Sequence, residues 1–303
     1  MASLGKLASQ GAAATTLKSQ NGGEYSVRAI GFLFALWFSL FVAVLFLATL
    51  IIVTLIEGSP KFSLNLFIEY SSANPDNAGA RAAILGSAFV IAVTAVLAIP
   101  LGVAAATYLE EFADKRRWWN RMIELNVQNL AAVPSIVYGL LTLGLLATVG
   151  FKSKNFVLAG GIALALLILP VIVIATREAI RSVPSEIRDG SLALGASPWQ
   201  TVWRQILPSS VPGIATGSIL ALSRALGEAA PLLLLGALVY VTFDPTSLMS
   251  GFTTMPIQIF SWTGRPQEGF HELAAAASIL LLVLLVLMNG VAIFIRNRFQ
   301  KRW

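Results

Sequence analysis

Six stretches of this chain, at 29–56, 82–109, 130–149, 156–176, 213–241 and 273–295, are long and almost purely apolar. A helix that crosses the hydrocarbon core of a bilayer needs about 20 such residues. A soluble helix of that length carries a polar face, and these carry almost none. Of the 303 residues, 56% are hydrophobic and 12% charged, against about 25% charged in a soluble domain. The chain therefore reads as all-α, a polytopic helical membrane protein with six transmembrane helices. The first span is not a cleaved signal, because a polar stretch precedes it and its apolar run exceeds a signal's core. Residues 1–28, rich in Ala, Ser, Gln and Gly, read as a disordered cytoplasmic tail. The remaining divisions are the first span at 29–56, an extracytoplasmic segment at 57–81, a core at 82–295 with spans two to six, and a cytoplasmic tail at 296–303.

Lys and Arg orient the spans, since loops on the cytoplasmic side carry the excess. Alternate loops and the two tails hold 15 of the 21, from Lys6, Lys18 and Arg28 to Arg296, Arg298, Lys301 and Arg302. The opposite loops hold five: Lys61, Arg81, Lys152, Lys154 and Arg265. Both termini are thus expected in the cytoplasm. The asymmetry accounts for the net charge of +6, so no nucleic-acid partner is needed to explain it. Trp118 and Trp119, in a charged cytoplasmic turn at 110–121, suit the lipid headgroup layer.

The chain has no Cys and a single His, His271. Thiol chemistry is excluded, and a zinc site built by this chain is not expected. His271 reads as a surface residue. No G-x-x-x-x-G-K-[ST] phosphate loop occurs, so any ATP and Mg would be bound by a partner chain. No cofactor is expected here, and no paired carboxylates, His cluster or nucleophile–base set points to an enzyme.

The cytoplasmic segment at 177–212 is closely patterned. Pro184 fits the first turn of a helix running through Leu194. Gly195 stands where a left-handed residue ends it. Ser197, Pro198 and Gln200 then form a capping box for a second helix. Trp199, Val202, Trp203 and Ile206 are spaced to make one apolar face, and Pro208 and Pro212 are expected to end it. The product is a helix–turn–helix knob. Within the spans, Pro100, Pro134, Pro170 and Pro231 each remove a backbone donor, which hydrocarbon tolerates only beside a partner or a water-lined cavity.

The fifth span carries "RALGEAAP" at 224–231. Gly213, Gly217, Ala221 and Ala225 form a small-residue stripe suited to helix packing. Steps of four, three and four from Gly217 place Ala221, Arg224 and Glu228 on one face. The spacing permits an intrahelical ion pair, although in the less favourable order. Each charge costs about 2.5–3.5 kcal/mol at mid-membrane, and apolar residues would be cheaper for structure alone. Arg224 and Glu228 are therefore candidates for an aqueous path. A guanidinium is a permanent cation whose planar fork suits phosphate and carboxylate oxygens. In "AAVPSIVYG", Ser135 and Tyr138 are three residues apart and either line the same path or back-bond within a kinked helix.

The knob reads Asp189-Gly-Ser-Leu-Ala-Leu-Gly195, nine residues, then Gln205-Ile-Leu-Pro208. It resembles the E-A-A-x3-G-x9-I-x-L-P loop of bacterial ABC-importer permeases. Gly195, Leu207 and Pro208 match, Asp189 replaces the acid, Gly190 and Ser191 replace two alanines, and Gln205 replaces the isoleucine. "ALSRALGEAAPLLLLGAL", "NLAAVPSIVYGLL" and "MPIQIFSWTGRPQEGFHE" are similar to the A-type (PstA-type) subunit of phosphate ABC-importer permeases, over residues 81–298. The resemblance implies a permease in the bacterial cytoplasmic membrane, embedded in lipid and paired with a sister C-type permease. It implies a cytoplasmic ATPase dimer below and an extracytoplasmic phosphate-binding protein outside. It implies inorganic phosphate passing Arg224 and Glu228, and Asp189, Gly190, Ser191, Gly195, Ala196, Leu207 and Pro208 engaging the ATPase. The residues alone leave sulfate or molybdate open, and also a secondary anion transporter, which would need no ATPase-docking knob.

The orientation is testable without background, since there is no native Cys. Lys301→Cys should resist an impermeant thiol reagent in intact spheroplasts and react after lysis. Labelling in intact spheroplasts would overturn the assigned topology.

Overall fold

The computed structural model describes residues 27–114, 116–151, 155–237 and 240–299. Residues 1–26 of the tail expected at 1–28, the charges Lys115, Lys152 and Lys154, and the last residues with Lys301 and Arg302 lie outside them, while Val27 and Arg28 begin a helix instead of ending a tail. The long apolar runs leave backbone groups no partner but their own chain, so they form helices. No strand occurs among the described residues; the one bridge pairs Phe156 with Gly251. In chain order the helices are α1 (Val27–Gly58), α2 (Arg81–Phe112), α3 (Trp118–Leu130) and α4 (Ser135–Thr148). Then come α5 (Val157–Arg181), α6 (Ser185–Ala193), α7 (Pro198–Leu226), α8 (Ala230–Leu234), α9 (Met255–Thr263) and α10 (Glu268–Phe299). Among the described residues, 27–52 form one unit, part of a single apolar helix, and those from Val53 onward form a second.

Within the second unit α5 is central. Ala163, Ile168 and Ile172 are fully buried along it, and α2, α4, α7 and α8 contribute to the same core with Val90, Tyr138, Ala221 and Leu232. The small-residue stripe of α7 packs here as expected. A Cβ on Gly213 would stand 2.7 Å from the Ala179 Cβ, and one on Gly217 would stand 2.5 Å from that of Ala175. Helix backbones approach this closely only where both sides are small.

Five helices are long and apolar enough to cross a bilayer, and α3 with α4 makes a sixth candidate bent by 113°. Here the structure corrects the sequence reading. The turn expected at 110–121 is two elements: a π-turn at Tyr108–Phe112 that ends α2, and the start of α3. The third span begins at Ser135 rather than at Leu130, and its 14 residues reach only about 21 Å, short of the roughly 30 Å of hydrocarbon.

The prolines divide in two. Pro100 and Pro170 lie inside unbroken helices. Pro134 and Pro231 stand at real breaks, at the start of α4 and of α8. Pro208 and Pro212 do not end the knob's second helix either. It continues through both to Leu226. A π-turn at Val202–Ile206 immediately precedes them, with the Leu207 N–H donating to the Val202 carbonyl. Such a widened turn relieves the clash between a proline ring and the preceding turn.

Candidate substrate path and coupling site

Helix α7 ends at Leu226, between the two charges read from the sequence. Gly227 caps it, with its N–H donating to the Arg224 carbonyl at 3.2 Å, and the Glu228 N–H donates to the Ala225 carbonyl at 3.1 Å. Glu228 therefore lies past the helix end, and the shared helical face expected for the pair stops at Arg224. Pro231 cannot donate to the Gly227 carbonyl, which removes one hydrogen bond that would carry the helix on. The Arg224 Nε and a Glu228 carboxylate oxygen are 3.9 Å apart. That is ion-pair range without a hydrogen bond. The Arg224 side chain is 51% exposed and that of Glu228 22%, so the arginine remains open to another partner. A cation in the last turn also complements the negative end of the helix dipole, worth about 0.3–1 kcal/mol.

The break at Pro231 packs against α4. A Cβ on Gly139 of α4 would stand 2.8 Å from the Pro231 Cα and carbonyl oxygen, so only glycine permits this contact. Neighbouring Tyr138 is buried and lies within electrostatic reach of Arg224. Its hydroxyl donates to the Leu130 carbonyl at 2.6 Å, which clamps the bend between α3 and α4. Ser135 is half-buried in the first turn of α4. Paired helix interruptions at membrane depth are a common way to build a polar station inside a bundle.

At the other end of α7, the knob forms as its local signals require. Gly195 has φ +84, a left-handed conformation that favours glycine. The Gly195 N–H donates to the Leu192 carbonyl and the Ala196 N–H to the Ser191 carbonyl, which closes α6 in a Schellman motif. Ser197 and Gln200 form the reciprocal capping box. The Ser191 and Thr201 hydroxyls, 2.9 Å apart, tie the two helices. Asp189, Gly190 and Leu192 to Gly195 are exposed, with Leu194 at 90%. An open groove of about 410 Å³ runs between Gly190, Ser191, Leu194, Ala196 and Arg204. Leu207 is half-buried beside it in the chain and Pro208 is exposed. The expected single apolar face of α7 is split: Val202 and Ile206 pack on Ile180, while the rings of Trp199 and Trp203 lie 5.4 Å apart, tilted by 55°, and remain exposed. The π-turn, with its extra residue per turn, accounts for the split.

A set of ion pairs behind the knob was not legible from the sequence. Arg177 is buried and donates to Glu110 at 3.1 Å and to Glu124 at 2.7 Å. Arg181 reaches Glu110 at 2.9 Å, and Arg188 of α6 pairs with Glu111. The carboxylates of Glu110 and Glu111 thus join α2 to α5 and the knob, and Glu124 joins α3 to the same set through Arg177. The adjacent acids and the i, i+4 arginines are the only sequence trace of it. His271 is exposed, as expected.

Long apolar helices with interior breaks, an exposed cation at one such break and a capped helix–turn–helix knob fit a multi-pass membrane permease. Residues 98–303 match the family described as binding-protein-dependent transport system inner membrane component, and the chain belongs to that family. It is 35% identical over 219 residues to the phosphate transport system permease protein PstA 1 of Mycobacterium tuberculosis, covering 72% of this chain and 70% of that one. It is 30% identical over 267 residues to PstA of Haemophilus influenzae, covering 88% and 92%. Its fold is similar to that of a bacterial alginate ABC transporter complex, with TM-score 0.65 and 16% identity over 92% of this chain and 99% of the other.

Removing one member of a buried ion pair leaves the other uncompensated, at about 3–5 kcal/mol. Arg177→Met should therefore lower the thermal unfolding temperature of the purified protein markedly. Glu178→Gln, whose carboxylate is 65% exposed, should shift it little, since exposed pairs contribute about 0–1 kcal/mol. Equal shifts would contradict the assigned network.

Proposed function

We propose that the chain is the permease subunit of an ATP-driven phosphate importer in the bacterial cytoplasmic membrane, with both termini in the cytoplasm. The observation that carries the reading is Arg224, a half-exposed guanidinium at a helix break, at one end of the helix whose other end forms the knob. The phosphate permease names of its relatives support the choice of anion. The 15-to-5 split of Lys and Arg supports the orientation. Nucleic acid has no role in this reading.

Helix α7 has 29 residues and so spans about 44 Å. An ATPase dimer seated on the exposed surface of Asp189, Gly190, Ser191, Gly195 and Ala196 pushes or pulls one end of that rod, with Leu207 and Pro208 in its first turns. Arg224 moves at the other end. ATP and Mg are bound by that dimer, and this chain supplies no cofactor site. A sister C-type permease completes the path, and an extracytoplasmic phosphate-binding protein delivers inorganic phosphate to it. Arg224 replaces part of the anion's lost hydration with charge-assisted hydrogen bonds. Glu228, held 3.9 Å away, keeps the guanidinium from becoming a deep trap, so that phosphate leaves. Ser135 and Tyr138 shape the wall of the same path.

In the assembled importer, Arg224→Gln should lower phosphate uptake at least tenfold, which corresponds to about 1.36 kcal/mol on the barrier. Uptake of labelled phosphate is measured at matched membrane abundance, with excess sulfate or molybdate as competitor. Near-normal uptake by the double variant Arg224→Leu, Glu228→Leu would show the pair to be structural. Loss of labelled uptake to sulfate or molybdate would instead favour another oxyanion.

A further inference from the structure

Helix α3 turns two of its polar side chains, Asn120 and Glu124, toward the protein, while Arg121, Asn126, Gln128 and Asn129 are exposed. Asn120 is buried, with its amide donating to the Asp114 carbonyl at 3.0 Å, and Glu124 reaches the buried Arg177 at 2.7 Å. Its large apolar side chains face away. Trp118 is 71% exposed, and Trp119, Met122, Ile123 and Leu125 are each exposed by more than two fifths. A helix on an aqueous surface turns the opposite way. The 113° bend to α4 makes α3 run roughly along the membrane plane if α4 crosses it.

Three arginines crowd the N-terminal end of this apolar face. Arg116, Arg117 and Arg121 are all exposed. Arg117 stacks on the Trp119 ring at 5.0 Å and reaches only the exposed Asp114, at 3.4 Å. Arg116 and Arg121 have no carboxylate partner among the described residues. Tryptophan rings, guanidinium groups and an aliphatic stripe on one in-plane helix match the layered chemistry of a lipid leaflet: phosphate above, acyl chain below.

We propose that α3 is an interfacial helix that binds anionic phospholipid of the cytoplasmic leaflet. Arg116, Arg117 and Arg121 hold the headgroup phosphate. Trp118, Trp119, Met122 and Ile123 lie against the acyl chains. The charge on the rim of the face selects lipid over a protein partner, whose apolar contact would leave Arg116 and Arg121 without counter-charges. Because Glu124 projects from the opposite side of the same helix, lipid seating also holds this carboxylate against Arg177. Neither the anion nor the ATPase assigned above enters the argument, so it stands or falls separately from them.

The absence of cysteine permits single nitroxide labels at Trp119→Cys, Ile123→Cys and Asn120→Cys in the full chain, assembled with its partners and reconstituted into vesicles. Labels at 119 and 123 should be far more accessible to oxygen than to a water-soluble nickel chelate, and the label at 120 shielded from both. Labels at 119 and 123 that are immobile and shielded from both reagents would reveal a protein interface and overturn the proposal. For the headgroup, spin-labelled phosphatidylglycerol should associate more strongly than spin-labelled phosphatidylcholine. Each basic residue near an anionic surface is worth about 1 kcal/mol, so the triple change Arg116→Gln, Arg117→Gln, Arg121→Gln should cut that preference at least about fivefold. Free inorganic phosphate should not displace the lipid. An unchanged preference in the triple variant, or displacement by phosphate, would contradict anionic-lipid binding.

Discussion

The architecture depends on one helix staying whole. From the capping box at Ser197 to the glycine at Gly227, α7 runs unbroken past Pro208 and Pro212. Either proline in a regular turn would remove a hydrogen bond and crowd the carbonyl four residues back. The π-turn at Val202–Ile206 absorbs that strain before the first of them. The consequence is mechanical. The knob's second helix and the Arg224 guanidinium belong to one rod, and the small residues Gly213 and Gly217 let that rod lie directly against α5 at Ala175 and Ala179. Motion at one end has a stiff route to the other.

Charge is placed inside this protein in two different ways. Around Glu110 and Glu111 the carboxylates are buried and tightly paired, to Arg177 and Arg181 and to Arg188 of the knob. Pairs of that kind fix geometry, because an unpaired member would be costly. At Arg224 the pairing is loose and the cation half exposed. A loosely held cation beside a helix break suits an anion that must bind and then leave. The contrast between the tight and loose pairs is the physical argument for assigning one a holding role and the other a passage role.

What the sequence made legible was local. The capping box, the left-handed Gly195 and the small-residue stripe follow from rules spanning a turn or two, and each appears where expected. Long-range features were hidden. The contact between Arg177 and Glu110 joins residues 67 apart, and no spacing rule reports it. Four prolines looked equivalent in the spans, yet only Pro134 and Pro231 stand at helix breaks, and the close packing of Pro231 on Gly139 joins residues 92 apart. The apolar face drawn through Trp199, Val202, Trp203 and Ile206 assumed 3.6 residues per turn, and the π-turn violated that assumption. The pair at Arg224 and Glu228 was found by its cost in hydrocarbon. Its geometry was not found, since the helix end between the two charges depends on Pro231 and its packing.

The central claim is that a positive charge at position 224 carries the anion. In Arg224→Cys, uptake by the assembled importer should be low, and the thiol should react from water because the site is open. Modification with a small methanethiosulfonate that adds an ammonium group should restore much of the uptake, while a neutral reagent of the same size should not. Equal recovery with both reagents, or full uptake by the unmodified variant, would contradict the claim.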